Sequence, residues 1–167
     1  MGSSEVVVTD TSPILNLALI DQPACLLRQF ASITIPPAVR EELLAGQRKR
    51  EQLETLLEGS FFTVESVSRT DLVREFRAEL DTGESEALAL AIERDADLVL
   101  IDERDGRQVA RRHDLRVTGV VGVLIRAAQN GTLSLESELT SLRDAGFWIS
   151  DDLVRQAIET VESERKR

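Results

Sequence analysis

The sequence predicts an α/β fold of three layers, in which helices cover both faces of a central, mainly parallel sheet. Short apolar segments rich in Val, Ile and Leu alternate with longer amphipathic segments, as in consecutive β–α–β units. Acidic residues directly follow two of the apolar segments, at the edge where an open parallel sheet binds its ligands. With 167 residues, of which 42% are hydrophobic, the chain is long enough for one well-buried domain over 1–167.

The strands are predicted from β-branched and aliphatic runs that end at turn or charged residues. Residues 5–9 (EVVVT) predict the first strand, and residues 97–101 (DLVLI) predict a later one. Further strands are predicted at 32–35, 61–66 and 115–118, and the one at 61–66 is expected to be peripheral.

Helices are predicted between these strands from apolar residues that recur every three or four positions. The first follows Asp10, and Thr11 or Ser12 is its expected cap. The last two helices begin at about residue 134, and Ser150 is the expected cap of the final one. The segments between them predict helices at 23–30, 38–46, 47–59, 70–80, 84–95, 104–113 and 119–130.

Charge and cysteine content limit the classes of protein. The net charge of −10 disfavours a nucleic-acid binder that relies on a broad basic face. The acidic residues can also be metal ligands, and a site formed by them becomes electropositive once the cation is bound. The single cysteine, Cys25, excludes an internal disulfide, and no apolar run reaches the length of a membrane helix. We therefore expect a soluble cytoplasmic protein.

Four acidic residues are candidate site residues. Asp10 and Asp102 each follow an apolar strand, and parallel neighbouring strands would bring both carboxylates to one edge. Glu42 lies in REELLAG, and Glu84 lies at the start of the apolar helix in TGESEALALA. Each also has a structural explanation: a turn or helix cap for the aspartates, a solvated helix face for Glu42, and a capping box with Asp81 for Glu84.

The combination of these acids predicts a site for a divalent metal. Mg²⁺ and Mn²⁺ are hard cations that take carboxylate oxygens and need no His or Cys. A cluster of three or four carboxylates can hold one or two such ions, which activate water and neutralise charge on a phosphodiester. The only histidine, His113, falls late in a helix, where a surface or C-terminal capping role is expected rather than that of a general base.

Along nearly the whole chain, the segments resemble those of the PIN domain family, in order and spacing. They resemble in particular a prokaryotic PIN-like subfamily of predicted nucleic-acid-binding proteins. The segments that carry the resemblance are VVVTDTSPILNLALI, ITIPPAVREELLAG, LDTGESEALALAI, ADLVLIDERDGRQVARRHDLRVTG and LRDAGFWISDDLVRQAI.

The resemblance implies a PIN-like fold and assigns roles to individual residues. Thr11 and Ser12 match the hydroxyl positions that support the first aspartate. Glu86 competes with Glu84 for the third acid, which is Asp in many PIN nucleases, and Asp105 is a candidate to assist the last acid. The metal-binding and catalytic acids fall on Asp10, Glu42, Glu84 and Asp102.

The resemblance also implies a function. PIN ribonucleases hydrolyse RNA phosphodiesters with Mg²⁺ or Mn²⁺, and many are toxins of toxin–antitoxin pairs. The expected partners are RNA, an antitoxin protein and a second copy of the chain. The alternative is a catalytically idle PIN-like module that binds RNA or a protein partner, because a chain can keep a fold and lose its activity.

Three arginines follow Asp102 at helical spacing. Arg104, Arg107 and Arg111 lie three and four positions apart, so a helix presents them along one face near the predicted site. They are candidates to contact substrate phosphates. Ion pairs with Glu103 and other surface acids are the alternative role.

Overall fold

The chain folds around a parallel sheet of five short strands, in the order β3-β2-β1-β4-β5. The computed structural model describes residues 5–165, so the outermost residues of the domain predicted for 1–167 lie outside it. Every predicted strand is present, and the one predicted to be peripheral is at a sheet edge. The strands are β1 Val7–Thr9, β2 Ile33–Ile35, β3 Phe62–Val64, β4 Leu98–Leu100 and β5 Val117–Thr118.

Helices flank the sheet, which confirms the predicted α/β class. Within residues 5–165, none of them is both long and apolar enough to cross a membrane. They are α1 Thr11–Leu19, α2 Ala24–Gln29, α3 Pro37–Ala45, α4 Arg50–Glu58, α5 Thr70–Phe76, α6 Thr82–Glu93, α7 Arg104–Arg112, α8 Val120–Gln129, α9 Leu135–Asp144 and α10 Asp151–Arg165.

The strand order places a crevice between β1 and β4. From β1 the chain continues to β2 and β3 on one side, whereas β4 and β5 extend the sheet on the other. Thr9 is in register with Leu100, and the Asp10 N–H donates to the Leu100 carbonyl at 3.0 Å. Open parallel sheets bind ligands where the strand order reverses in this way. The residues that follow β1 and β4 therefore meet at the position expected for a site.

Helix α6 is the central packing element on the site side of the molecule. It contacts β1, β4, α3 and α5, and residues 87–91 (ALALA) are fully buried. A helix that is apolar on all sides is typical of a protein core, and its alanines allow close approach to the strands. This packing fixes the first turn of α6, which carries Glu84, against the ends of β1 and β4.

Helix boundaries differ from the prediction at two places near the site. Helix α1 begins at Thr11, so Asp10 rather than Thr11 or Ser12 is in the N-cap position, although its side chain makes no capping hydrogen bond to the described residues. The hydroxyls of Thr11 and Ser12 donate instead to Glu42 and Asp102. Helix α6 begins at Thr82 rather than at 84, since Asp81 accepts the Glu84 N–H at 2.8 Å and caps the helix.

The C-terminal helices follow the predicted signals more closely. Helix α9 begins one residue after the predicted position, and Gly146 follows it in the left-handed region with φ +102°. Ser150 Oγ accepts the Leu153 N–H at 3.1 Å, which confirms the predicted cap of α10.

Candidate metal centre

Asp10 lies at the crevice between β1 and β4 and is only 4% exposed. Burial raises the pKa of its carboxyl to about 7; nearby Asp81, Glu42 and Glu103 raise it further, against the opposing Thr11 N–H. A buried carboxyl with three acidic neighbours is costly to ionise. The site therefore concentrates negative charge where the fold leaves little water.

Glu84 is the second buried acid of the site and is 3% exposed. Burial raises its pKa to about 8, and a side-chain hydrogen bond to Asp81 and the charges of Asp81, Asp10 and Glu103 act in the same direction. Asp81 caps the helix as the capping-box interpretation predicted. The Glu84 Oε2 atom nevertheless has no hydrogen-bond partner among the described residues. The capping role thus accounts for the hydrogen bond of the Glu84 N–H, but it does not provide a partner for this carboxylate oxygen.

Glu42 connects the start of α1 to the start of α6. Its Oε2 accepts the Thr11 hydroxyl at 2.5 Å, and its Oε1 accepts the Gly83 N–H at 3.1 Å. A side chain at position 83 has no room, because its Cβ would lie 2.6 Å from Glu42 Oε1. Glu42 is exposed, as expected for a residue on a solvated helix face, but its two hydrogen bonds also join α3 to α1 and α6.

Asp102 follows β4 and is held by a different set of donors. Its Oδ1 accepts the Val120 N–H at 2.7 Å, and its Oδ2 accepts Ser12 Oγ at 3.0 Å and Asn16 Nδ2 at 3.3 Å. Burial raises the pKa of Asp102, while these three donors and the Arg107 guanidinium oppose the increase. The carboxylate is therefore fixed in orientation at the edge of the sheet.

The four acids share one edge of the sheet but not one set of contacts. The carboxylates of Glu42 and Glu84 each repel that of Asp10, whereas Asp102 is bonded to donors of α1 and α8. Within residues 5–165, no three His, Cys, Asp or Glu side chains stand in a ready-made metal-binding group.

The donor set nevertheless fits a hard divalent cation. Asp10 and Glu84 are buried among acids, and Glu84 Oε2 is an unpaired acceptor in the described part of the chain. Mg²⁺ typically takes one or two carboxylates directly and keeps several of its waters, so two buried acids suffice for direct contact. The four acids offer only oxygen ligands, whereas structural zinc sites prefer the sulfur of Cys and the nitrogen of His.

The predicted supporting residues occupy varied positions. The hydroxyls of Thr11 and Ser12 donate to Glu42 and Asp102, and the contact of Thr11 with Asp10 is through its backbone N–H. Glu86 has its pKa raised by burial and by Glu41 and Glu42, not by Asp10, and the Ala38 N–H opposes the increase. It therefore lies on another side of α6 from Glu84. Asp105 is exposed in the first turn of α7.

Of the three predicted phosphate-contacting arginines, only Arg107 is placed against a site acid. It opposes the raised pKa of Asp102, and its Nη1 would lie 3.4 Å from a Cβ at position 119. Arg104 and Arg111 are exposed, and neither forms an ion pair with any residue between 5 and 165. The predicted pairing with Glu103 is likewise not found in that range.

His113 occupies the position that the sequence predicted. It is the exposed C-cap residue of α7, and its ring packs edge to face against Phe76 at a centroid distance of 5.3 Å. This packing contact gives it no role at the acidic edge.

Sequence analysis missed three residues of the site. Asp81 had been assigned only a capping role, and Glu103 only an ion pair, yet both add negative charge around Asp10 and Glu84. Asn16 donates to Ser12 Oγ at 3.0 Å as well as to Asp102. Its position four residues after Ser12 on α1 was the available signal, because that spacing puts both side chains on one helix face.

The buried acids predict that stability depends on pH in a defined direction. In chelating buffer, the free energy of unfolding should fall by several kcal/mol as the pH rises from about 5 to about 8. The folded Asp10 and Glu84 carboxyls, with pKa values of about 7 and about 8, keep protons that the unfolded chain has already released. Protonation therefore favours the folded state. Urea denaturation at a series of pH values measures the slope, and a flat or rising curve would contradict the burial of these charges.

Comparison with known families agrees with this arrangement. A family model described as a PIN domain matches residues 6–163, which is nearly the whole chain and includes all four acids. No curated protein matches the chain. PIN domains are a family of nucleases, often ribonucleases, and generally use divalent metals. The matched range, the parallel sheet and the acids at its switch point show that the chain belongs to the PIN domain family.

Proposed function

We propose that this protein is a Mg²⁺- or Mn²⁺-dependent endoribonuclease that hydrolyses RNA phosphodiesters. The observation that supports the proposal best is the pair of buried acids, Asp10 and Glu84, which sit at the switch point of the sheet among further acids. A fold pays for such a cluster in stability, so it is expected where a cation or a reaction needs it. Membership of a nuclease family gives the reaction class.

Each acid has a distinct part in the proposal. Asp10 and Glu84 would hold the cation, and Glu42 and Asp102 would complete the acidic site around it. A bound Mg²⁺ or Mn²⁺ would supply an activated water and neutralise charge that develops on the phosphodiester. Thr11 fixes Glu42, while Ser12 and Asn16 fix Asp102.

Arginine side chains of α7 provide local positive charge beside the acidic site. Arg107 lies beside Asp102, and Arg104 and Arg111 are exposed on the same helix. We assign these three to the phosphates that flank the scissile bond, because guanidinium groups pair with phosphate oxygens in a bidentate manner. The contact is local, which reconciles RNA binding with a net charge of −10.

The test is cleavage of a labelled single-stranded RNA by purified protein, with Mn²⁺, with Mg²⁺ and with a chelator. We expect cleavage only with metal, and its loss in Asp102→Asn. The same preparation of Asp102→Asn serves as the control for contaminating nucleases, since a contaminant would cut equally well in both. Metal binding without cleavage under any condition would instead favour the catalytically idle module, in which the bonds already made by Glu42 and Asp102 are purely structural.

The proposal also includes a biological role. In it, the protein is a homodimeric toxin that cleaves cytoplasmic RNA and is neutralised by an antitoxin protein. Its support is the resemblance of the acidic segments to those of PIN toxins. Induced expression in a bacterial host should arrest growth, and co-expression of a small protein encoded beside this chain should relieve the arrest. Light scattering measures the mass of the assembly. Normal growth on expression of soluble, active protein would remove the toxin role while leaving the nuclease activity in place.

A further inference from the structure

A pocket of about 360 Å³ lies on the side of α6 where Glu86 is found. It is formed by the start of α3, the segment after β3, and helices α5 and α6. Its size is within the range of small-molecule and nucleobase sites. The residues that define its chemistry are Pro37, Val67, Thr70, Val73, Arg74 and Glu86.

The pocket adjoins the metal centre through α3 and α6. Glu86 is two residues after Glu84 on α6, and Pro37 begins the helix that carries Glu42. Glu42 is close enough to Glu86 for the two carboxylates to repel each other, and it bonds to Gly83 in the first turn of α6. A polymer bound across the centre would therefore reach the pocket with a neighbouring unit.

The lining of the pocket combines apolar walls with two opposite charges. Pro37, Val67 and Val73 provide surfaces against which a flat ring can pack. Glu86 offers only hydrogen-bond acceptors when ionised, and Arg74 offers only donors. Neither forms an ion pair with the other or with any further residue in the described part of the chain. Glu86 accepts the Ala38 N–H, but a carboxylate has further lone pairs on its two oxygens, so both side chains can still bond to a ligand.

We propose that this pocket binds a guanine base of single-stranded RNA and so selects the phosphodiester that reaches the metal centre. The proposal rests on the ribonuclease function proposed above. Guanine presents two adjacent N–H donors on its Watson–Crick edge, which match the two oxygens of Glu86, and the O6 and N7 acceptors, which match Arg74. Adenine and cytosine lack this set of paired donors and acceptors, and uracil places carbonyl oxygens beside its single N–H.

Cleavage-site mapping tests the selection. On an RNA of mixed sequence, wild-type cuts should cluster at a fixed position relative to guanosines, and Glu86→Gln should lose this preference by ~10-fold or more. Glu41→Gln is the matched control, because it removes an equal charge near Glu86 from an exposed position outside the pocket. Wild-type cuts without base preference, or an unchanged preference in Glu86→Gln, would overturn the proposal.

Binding measurements separate this proposal from the nuclease function. The probes are fluorescent oligouridylates that carry one central guanosine, inosine, adenosine or cytidine, titrated into Asp10→Asn protein so that no cleavage intervenes. Guanosine should bind ~10-fold more tightly than the others. Inosine lacks the 2-amino group, so replacing guanosine with inosine should weaken binding to Asp10→Asn but not to Asp10→Asn with Glu86→Gln.

The outcomes then divide clearly. If the protein prefers guanosine in binding but the wild type does not cleave RNA with any metal, the guanine-binding proposal is supported and the ribonuclease proposal is refuted. If the wild type cleaves RNA with metal but all four oligomers bind equally well, the ribonuclease proposal is supported and the guanine-binding proposal is refuted. Arg74→Met provides a second variant in case Glu86→Gln fails to fold, and it should lose guanosine preference in the same assay.

Discussion

Asp10→Asn is expected to abolish metal-dependent RNA cleavage and, at the same time, to stabilise the folded protein at pH 8 in chelating buffer. The amide keeps the size of the carboxyl but removes its charge and most of its affinity for a hard cation. Loss of one preorganised electrostatic contact to a reaction centre typically costs at least ~10²-fold in rate. We expect cleavage to fall by at least that factor.

The stability gain follows from the raised pKa of Asp10. At pH 8 this carboxyl, whose pKa is about 7, is ionised in a buried position beside other acids. Removing the charge should raise the free energy of unfolding at pH 8 by up to about 4 kcal/mol. The gain should shrink as the pH falls to 5, and it should vanish only below the ordinary pKa of 3.8, where the unfolded chain also carries the proton. Denaturant titrations at both pH values measure this difference.

Asp144→Asn is the matched control for Asp10→Asn. It makes the same chemical change at an exposed position on α9, so it should alter neither cleavage nor the pH dependence of stability. An Asp10→Asn protein that is fully active, or one that is less stable than wild type at pH 8, would contradict the placement of Asp10 in a buried acidic centre.

Gly119→Ala is expected to produce the second large effect, through the orientation of Asp102. A Cβ at this position would lie 2.5 Å from Asp102 Oδ1 and 3.3 Å from the Ile101 carbonyl oxygen. Asp102 cannot rotate away freely, because its oxygens are bonded to Val120, Ser12 and Asn16. Displacement of a catalytic group by ~1 Å can cost 10²-fold in rate, so we expect cleavage to fall by about that factor.

The folded state should also lose stability in Gly119→Ala, by about 1–3 kcal/mol, because the new methyl group crowds both a carboxylate and the backbone. Gly46→Ala is the control: apart from its chain neighbours, no atom of residues 5–165 lies within 4 Å of its added Cβ, so it should keep full activity. Cleavage rates and thermal unfolding of the two variants provide the comparison. Wild-type activity in Gly119→Ala would show that the position of Asp102 is unimportant for the reaction.

The two variants separate two requirements of the same edge. Asp10 contributes a buried negative charge that lowers the stability of the fold. Asp102 contributes a carboxylate in a fixed orientation, which depends on the space left by Gly119. Stability and activity should therefore change in opposite directions in Asp10→Asn but in the same direction in Gly119→Ala. Loss of activity with gain of stability is typical of residues kept for function rather than for folding.

The sequence by itself determined the fold class and the strands, and it named the four candidate acids. Local patterns carry that information: runs such as VVVT and LVLI have the composition of buried strands, and an acid at the end of each run falls at the ligand-binding edge of a parallel sheet. The order of segments also carried the family resemblance, which the match over residues 6–163 confirmed.

Only the tertiary structure decided how those acids are held and what surrounds them. The hydroxyls of Thr11 and Ser12 donate to Glu42 and Asp102, which are distant in sequence. Partners across 31 and 90 positions depend on how α1 packs against α3 and β4, and no local pattern encodes that choice.

The electrostatics of the site likewise required the folded chain. In sequence, Glu84 and Glu86 are equivalent candidates two positions apart on one helix, and burial separated them: Glu84 faces Asp10 and Asp81, while Glu86 faces a pocket beside α3. The pKa of a carboxyl depends on the water removed from it and on the charges that surround it. Both are set by packing between elements, which is why the sequence could name the acids but not assign their roles.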